Sequence, residues 1–163
     1  MSEGSGATPG TADPSGPTND VPAGYKPLPV GGEFIAVNGP LYLRRDGDAV
    51  QLGFRVEPRH ANPMGICHGG MMASFCDMLL PMSAHRQCAE VKGRFLPTVS
   101  LQIDYLAPAP VGAWVEGEAQ VLRATRSLVF MQGLVSADGA PAARVSGIFK
   151  IGPAFGAAGA AKP

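Results

Sequence analysis

Apolar and polar residues alternate along most of the chain between residues 32 and 153. In the segment 51–56 the alternation puts three apolar side chains on one face of an extended chain, namely Leu52, Phe54 and Val56. The same period of two recurs at residues 99–105, 115–121 and 143–149. A period of two is typical of strands with one buried face, so the sequence predicts a sheet built from such strands.

Short turn signals separate these strands. Asp46-Gly47-Asp48 stands between residues 41–45 and 49–56 and predicts a hairpin. Further turn signals occur at residues 108–110, 124–125 and 138–139. We therefore expect the strands from residue 99 onward to follow one another as an antiparallel meander.

One segment breaks the period of two. Between Met71 and Ala84 every residue is apolar or proline except Ser74 and Asp77. A segment that is apolar on all sides predicts a helix of about eighteen residues, buried around its whole circumference by a sheet that curls around it. Asp77 should then be buried too, and Pro81, one turn later, should kink the helix or end its first part.

Asp77 is the first candidate for chemistry, because an ionised carboxylate taken out of water costs several kcal/mol unless it is paired or used. Gly69 and Gly70 open the helix, where unpaired N–H groups and the positive end of the helix dipole favour a carbonyl oxygen or an oxyanion. Alternatives remain open at each position. The glycines could form a plain tight turn, Asp77 could serve packing, and His68 could orient the loop or act as a base.

The spacing of these residues bears on assembly. Asp77 lies eight residues beyond Gly69, which is about 12 Å along a helix axis. One small group therefore cannot touch both residues within one chain. Two copies related by a two-fold axis, with antiparallel neighbouring helices, would bring Asp77 of one chain beside the Gly69 N–H of the other. The spacing favours a dimer with two composite sites if both residues are catalytic.

Composition limits the class of protein. A chain of 163 residues with 45% apolar content fits one compact domain, expected at residues 32–153. Thirteen basic residues balance thirteen acidic ones without a basic run, which argues against a nucleic-acid or membrane-surface protein. No apolar run is long enough to span a membrane. Residues 1–31 and 154–163 are rich in small and turn-forming residues, and we expect both to be disordered.

The cysteines and histidines point to no metal site. Three of each occur, without the spacing of tetrahedral ligands or of a disulfide framework, so we expect a reducing, cytoplasmic location. Cys67 and His68 could form a thiolate and its base. Neighbours on an extended segment point apart, however, so a buried cysteine is the better interpretation. Arg123 and Arg126, at a strand connection, could hold phosphates or be solvated hairpin charges.

The arrangement of Asn62, the His68-Gly69-Gly70 sequence and Asp77 resembles hotdog-fold acyl-CoA thioesterases of the phenylacetic-acid-degradation and thioesterase superfamily member 2 type. Asn62 lies six residues before His68 and Asp77 nine after it, and residues 96–108 look like the next strand of that family. The resemblance covers about residues 32–153. It implies an α+β hotdog fold, with an antiparallel sheet wrapped around one long central helix.

The resemblance also implies hydrolysis of an acyl-CoA thioester. The carbonyl would sit on the Gly69 N–H with help from Asn62, and Asp77 from the partner chain would act as general base on water or as nucleophile. His68 would lie next to the oxyanion site. Thr98, or Ser100 in its place, would hold the attacking water. Substrate contacts are expected at Gly70 and Met71, and CoA phosphate contacts at Arg126 and Arg123.

The expected partners are the acyl-CoA substrate and further copies of the chain, as a homodimer or a homotetramer built as a dimer of dimers. No cofactor is expected, since CoA is part of the substrate. Four side chains suggest a pliable acyl pocket for an aryl-acetyl or medium-chain group, although they could equally be core residues: Met71, Met72, Phe75 and Met78. A non-catalytic acyl-CoA sensor and a dehydratase on the same fold remain alternatives.

Overall fold

The computed structural model of the protein describes residues 20–28, 30, 32–47 and 49–156. Within these ranges one antiparallel sheet contains seven strands: β1 Lys26–Pro27, β2 Tyr42–Asp46, β3 Ala49–Arg55, β4 Thr98–Tyr105, β5 Trp114–Ala124, β6 Leu128–Ala137 and β7 Ala140–Lys150. Two α-helices accompany it, α1 Gly32–Asn38 and α2 Gly69–Gln87. Short 3-10 turns at Pro58–His60 and Ala89–Val91 flank the long helix.

The strands lie in the order β1-β2-β3-β5-β6-β7-β4. The hairpin β2–β3 and the alternation on its faces are as predicted, but the meander starting at β4 is wrong, because β4 pairs with β7 at the edge of the sheet. The segment after β4 does not turn back as a hairpin. It runs to the loop before α2 and to the end of β3, where the Cys67 N–H donates to Ala109 O at 2.7 Å and the Gly112 N–H to Val56 O at 2.8 Å.

The long helix packs against the inner face of the sheet, touching β3, β4, β5, β6 and β7. The fit is close at two glycines. A Cβ at Gly117 would lie 2.7 Å from Leu79 Cδ2, and one at Gly147 would lie 2.6 Å from Leu80 Cδ1. Glycine at these points lets the backbone of β5 and β7 approach the buried leucines of α2.

The expectation that α2 is buried on all sides is wrong for the single chain. Buried side chains follow the sheet-facing stripe: Met71, Met72, Phe75, Cys76, Leu79, Leu80, Ser83 and Ala84. The opposite stripe is only half-buried: Ala73, Ser74, Asp77, Met78, Pro81 and Met82. The sheet reaches around only part of the helix, and an apolar sequence does not distinguish a side covered by the sheet from a side left open.

Pro81 does not end the helix, which continues to Gln87. Because proline has no N–H, it cannot donate the helical hydrogen bond to the carbonyl of the residue four positions earlier. That residue is Asp77. The backbone carbonyl of Asp77 is thus left without its helical donor, close to the candidate carboxylate of the same residue.

The folded domain extends beyond the predicted boundaries of 32–153. Tyr25 is buried, its ring lies edge-on to Trp114 at 5.0 Å, and its hydroxyl donates to Glu116 Oε2 at 2.7 Å. The disorder predicted for residues 1–31 therefore does not apply to residues 20–28, while residues 1–19 lie outside the described residues. At the other end, the Phe155 N–H donates to Gly93 O at 2.9 Å, and residues 157–163 of the predicted tail lie outside the description. Of the described helices, none is long and apolar enough to cross a membrane.

Candidate active site

The loop that leads into α2 is fixed by its own hydrogen bonds. Ala61 bridges Cys67, and the His68 N–H donates to His60 O at 2.8 Å. Asn62 Oδ1 accepts the Met64 N–H at 2.9 Å, which closes a turn and sets the orientation of the amide. The Asn62 Nδ2 group has no acceptor among the described residues, so it remains available as a donor.

His68 is the N-cap of α2. Its Nδ1 accepts the Gly70 N–H at 2.9 Å, and its carbonyl accepts the N–H groups of Met71 at 2.9 Å and Met72 at 3.1 Å. In a neutral imidazole that accepts at Nδ1, the proton is on Nε2. Among the described residues nothing accepts the Gly69 N–H. Of the two glycines predicted at the site, Gly69 therefore offers the free donor, while the N–H of Gly70 is already used.

Tyr105 is a site residue that sequence reasoning missed. Its hydroxyl donates to Gly69 O at 2.8 Å. The peptide unit between Gly69 and Gly70 is thus held on both sides, by Tyr105 at its carbonyl and by His68 at its N–H. Burial raises the pKa of Tyr105, so the hydroxyl keeps the proton that it donates. Its position at the end of a strand's inner face was the available signal, but only the strand order shows that this end meets the helix start.

Asp77 receives a hydrogen bond from the edge strand. Thr98 Oγ1 donates to Asp77 Oδ1 at 2.6 Å. The carboxylate is half-buried rather than buried as predicted, because it lies on the stripe of α2 that the sheet leaves open. Its second oxygen, Oδ2, has no donor among the described residues and remains free to accept a proton.

A β-bulge determines which hydroxyl reaches Asp77. Regular alternation would put Thr98 and Ser100 on one face, but the register shifts between them. Thr98 pairs with Phe149, which is buried against the helix, whereas Ser100 pairs with Ile148 and is exposed. The structure therefore brings Thr98 to Asp77 and leaves Ser100 on the outer face. Val99, predicted to face inward, is 60% exposed.

The predicted acyl pocket is mostly core. Met71, Met72 and Phe75 belong to the hydrophobic core, where the Phe75 ring lies 5.1 Å from that of Phe54. Met78 is half-buried on the open stripe of α2, one residue after Asp77. Of the four side chains, Met78 alone lies on the stripe that carries the candidate carboxylate.

The two predicted phosphate-binding arginines are exposed. Arg123 lies near the end of β5, and Arg126 in the turn that leads to β6. Neither has an ion-pair partner among the described residues. The turn contacts the end of β7, where the Ile151 N–H donates to Ser127 O at 2.8 Å. Both guanidinium groups are therefore free to meet an anionic ligand.

The environment of Cys67 disfavours its use as a nucleophile. Burial raises the pKa of Cys67 to about 11, so its thiol stays protonated near neutral pH. Within the described ranges, no three side chains of the metal-ligating types come together. The site thus consists of backbone donors, an amide, a hydroxyl and one carboxylate.

Residues 64–141, which include α2, β4, β5 and β6, match the family model of the thioesterase superfamily. This part of the chain is similar to the thioesterase superfamily. The thioesterase match starts two residues after Asn62 and includes Gly69, Asp77 and Thr98. The family resemblance deduced from the sequence is confirmed.

Curated relatives carry matching names. A Pseudomonas aeruginosa protein named as an esterase is 26% identical over 135 residues, covering 81% of this chain and 98% of that protein. Acyl-coenzyme A thioesterase 13 of Mus musculus is 32% identical over 76 residues, which is 47% of this chain and 52% of that protein. These names agree with the thioester hydrolysis that the sequence resemblance implies.

Solved thioesterase structures share the fold. Thioesterase superfamily member 2 from Mus musculus superposes with a TM-score of 0.63 at 21% identity, covering 73% of this chain and 87% of that chain. A hypothetical thioesterase from Streptococcus pneumoniae, solved with coenzyme A, superposes with a TM-score of 0.62 at 15% identity, covering 74% and 96%. The predicted α+β hotdog architecture is confirmed.

Proposed function

We propose that the protein hydrolyses an acyl- or aryl-CoA thioester to the free acid and CoA, with no cofactor besides the CoA of the substrate. The observation that carries this proposal is that one helix presents two groups suited to the reaction, a backbone donor and a carboxylate. The free N–H of Gly69 stands at the helix start, where the helix dipole favours negative charge, and Asp77 is oriented by Thr98 further along.

Two copies of the chain are needed to bring these groups together. They are separated by about 12 Å along α2. Among the described strands, β4 has no neighbour on its outer side. It carries both Thr98 and Tyr105, which contact α2 at residues 77 and 69. An open edge with exposed apolar side chains is suited to pairing with a second strand.

The site fixes the register of such a dimer. If Asp77 of one subunit lies beside Gly69 of the partner subunit, antiparallel helices put Ala73, midway between them, on the two-fold axis. The helix residues near this axis are small: Gly70, Ala73 and Ser74. Small side chains let two helices approach closely. Each dimer then contains two equivalent sites, and a tetramer is two such dimers.

Hydrolysis follows from this geometry in two steps. The thioester carbonyl oxygen accepts the Gly69 N–H and the Asn62 amide, while a water attacks the carbonyl carbon and passes a proton to Asp77 Oδ2 of the other subunit. The tetrahedral oxyanion then collapses, the carbon–sulfur bond breaks, and the CoA sulfur takes the proton from Asp77. Removing one preorganised oxyanion donor typically costs about 10²–10³ in rate.

CoA binding is assigned to the exposed arginines Arg123 and Arg126, with Gly70 as the point where the backbone leaves room for the thioester. A guanidinium group binds phosphate oxygens in a bidentate manner. At an exposed site this attraction is screened by salt, so the KM for acyl-CoA should rise with ionic strength.

The test is release of free thiol from a panel of acyl-CoAs by the wild type, Asp77→Asn and Glu118→Gln. Asp77→Asn should lose about 10²–10⁴ in turnover while remaining folded, because the general base is removed. Glu118→Gln, an exposed carboxylate on the outer face of β5, should keep wild-type activity. A folded Asp77→Asn with near-native turnover would contradict the proposal. So would tight acyl-CoA binding without turnover by the wild type, as in a sensor, or hydration of crotonyl-CoA, as in a dehydratase.

A further inference from the structure

The loop before α2 is a small hairpin that carries both candidate oxyanion donors. Near its turn, the Asn62 N–H donates to Ile66 O at 2.9 Å. At its base, the His68 N–H donates to His60 O at 2.8 Å. Asn62 therefore lies on the first arm of the hairpin, and Gly69 directly follows the second arm. The relative position of the two arms sets the distance between the two donors.

The two arms are held to the rest of the domain by different contacts. The second arm is tied to the segment after β4 by the Cys67 N–H, which donates to Ala109 O at 2.7 Å. The first arm continues directly from the 3-10 turn Pro58–His60. The Ala61 N–H donates back into that turn, to Pro58 O at 3.1 Å. The first arm therefore takes its position from the 3-10 turn.

The side chain of His60 holds this turn from inside the domain. It is 3% exposed, and its ring lies edge-on to that of Phe54 at 5.6 Å. Its Nδ1 accepts the Glu57 N–H at 3.0 Å, so the last residue of the turn binds the residue before the first. Since the carbonyl of His60 accepts the His68 N–H, one residue joins the turn, the core and the base of the hairpin.

The exposed side of the turn is held separately. Arg59 forms an ion pair with Glu57, with 3.1 Å between Nη2 and Oε2, and its Nη1 donates to Val37 O at 3.2 Å. These contacts attach the turn to the end of α1, and both charged side chains are partly exposed. They do not involve the ring of His60. The inner and outer contacts of the turn can therefore be altered one at a time.

Histidine is a destabilising choice for this buried position. In a neutral ring that accepts at Nδ1 the proton is on Nε2, and Nε2 has no hydrogen-bond partner among the described residues. A buried donor without a partner lowers the free energy of unfolding. An apolar side chain would avoid that loss but would offer no acceptor to the Glu57 N–H. Side chains that are kept at the expense of stability are typical of functional sites.

We propose that His60 is a positioning residue of the candidate oxyanion site, and that its Nδ1 and its carbonyl set the distance between the Asn62 amide and the Gly69 N–H. This inference rests on the proposed thioester hydrolysis. Without the acceptor at Nδ1 the 3-10 turn opens, the first arm shifts against the second, and the two donors no longer converge on one oxygen. Donors to a developing oxyanion act mainly in the transition state, so their displacement lowers kcat more than it raises KM.

The test compares thiol release by the wild type, His60→Asn, His60→Gln and His60→Leu, on the acyl-CoA that the wild type hydrolyses fastest. The Asn side chain offers an oxygen near the position of Nδ1, whereas Gln reaches toward the position of Nε2 and Leu offers no acceptor. His60→Gln and His60→Leu should lower kcat by about tenfold or more, with KM within about twofold. His60→Asn should keep kcat within about threefold of the wild type.

A matched control separates position from stability. Val50→Ala alters a buried residue at the far end of β3, so it should lower the free energy of unfolding and keep the wild-type kcat. Urea unfolding of every variant shows which are folded under the assay conditions. Two variants lack the Nδ1 acceptor, so the comparison with His60→Asn survives if one of them does not fold.

Hydrogen–deuterium exchange, read by mass spectrometry, tests the inference without activity. Backbone exchange in residues 61–69 should be faster in His60→Gln than in the wild type and close to the wild type in His60→Asn, with residues 140–150 unchanged in both. This result is informative even if the wild type hydrolyses no thioester, so a failure of the proposed function is distinguishable from a failure of this inference. Unchanged exchange at residues 61–69, a wild-type kcat in His60→Gln, or equal losses in His60→Asn and His60→Gln would each overturn the proposal.

Discussion

Thr98 and Asp77 join the edge strand to the long helix through one hydrogen bond of 2.6 Å. The bond occupies one carboxylate oxygen and leaves the other free. It also fixes the side chain of a residue whose backbone carbonyl lacks its helical donor because of Pro81. A carboxylate held in this way keeps its second oxygen, Oδ2, available to accept a proton on the open stripe of α2.

Replacing Thr98 tests whether that orientation matters. Thr98→Val keeps the shape and removes the donor, and we expect kcat to fall by about tenfold, since a hydrogen bond to a charged group is typically worth about 1.5–3 kcal/mol and part of it is replaced by water. Thr98→Ser should restore most of the activity, while Ser100→Ala should leave it unchanged because Ser100 lies on the outer face. Steady-state thiol release measures all three. Equal losses in Thr98→Val and Thr98→Ser would indicate packing instead.

The hydroxyl of Tyr105 should contribute to turnover by holding the first peptide of α2 in position. Without its bond to Gly69 O, the first peptide of α2 is held only by His68, and the Gly69 N–H is less well aimed. We expect Tyr105→Phe to lower kcat several-fold, about 1 kcal/mol of transition-state stabilisation, with little change in KM. Tyr42→Phe, a half-buried tyrosine on β2, is the matched control. A rise in KM at constant kcat would assign Tyr105 to substrate binding.

Oxygen-18 labelling tests whether Asp77 activates water or attacks the thioester itself. In a single turnover with excess enzyme in labelled water, a general base gives an acid product that carries the label at once. A nucleophilic Asp77 would expel the CoA thiolate and form a mixed anhydride. Water attack at the Asp77 carbonyl carbon of this anhydride would leave an unlabelled Asp77 oxygen in the first product and put the label in Asp77. We expect labelled product in the first turnover, and mass spectrometry of both the acid and the peptide that contains Asp77 reads out the two possibilities.

The two-fold axis at Ala73 predicts a symmetric cross-link. In Ala73→Cys, the new thiols of the two subunits should lie close together and react with a short bismaleimide to give a covalent dimer. Ala140→Cys, exposed at the start of β7, should give none. Denaturing electrophoresis after reaction, with the wild type as the background for the three native cysteines, measures the yield. A dimer in light scattering that does not cross-link at residue 73 would contradict the register.

The buried His60 should make the fold sensitive to acid. Its side chain is 3% exposed, Nδ1 accepts the Glu57 N–H at 3.0 Å, and Nε2 has no partner among the described residues. Burial, helped by the positive charge of Arg59, lowers the pKa of His60 below 6.5. His60 therefore binds a proton more tightly in the unfolded chain than in the folded chain. The free energy of unfolding consequently falls as the pH drops below 6.5.

Urea unfolding at pH 7.5 and pH 5.5 measures this effect. We expect the free energy of unfolding to decrease on the order of 1 kcal/mol over this interval. His60→Asn keeps an acceptor for Glu57 but cannot titrate, so it should show a smaller decrease, whatever its stability at pH 7.5. His85, whose pKa is also lowered by burial, accounts for part of the remainder. If the free energy of unfolding of His60→Asn depends on pH as strongly as that of the wild type, His60 is not the cause of the pH dependence.

Much of the fold could be predicted from residue patterns within the sequence. The hairpin at residues 46–48, the helix start at Gly69 and the inward faces of β3, β5 and β7 all follow from alternation, turn residues and the run of apolar side chains. These signals are contained within short segments. The apolar run at residues 71–84 also predicted a sheet that curls around the helix, and the family resemblance implied the same arrangement.

The parts that the sequence did not predict depend on contacts between distant segments. Alternation specifies the faces of β4 but not its neighbour, so the pairing with β7 was missed and the contact of Tyr105 with Gly69 with it. The open stripe of α2 was missed because most of its residues are apolar, like those of the buried stripe. Tyr25 was assigned to a disordered segment because its anchors, Trp114 and Glu116, lie some ninety residues away in a strand.

The bulge at Val99 affects which insertions and deletions a chain of this fold can tolerate during evolution. Thr98 and Val99 together occupy the place opposite Phe149 that one residue would fill in a regular ladder. A chain that lost Val99 would still present the Thr98 hydroxyl to the helix, with the rest of β4 unmoved. Insertions and deletions in the link between helix and strand can thus be absorbed at this point, so selection can preserve the position of a functional group in space while its place in the sequence drifts.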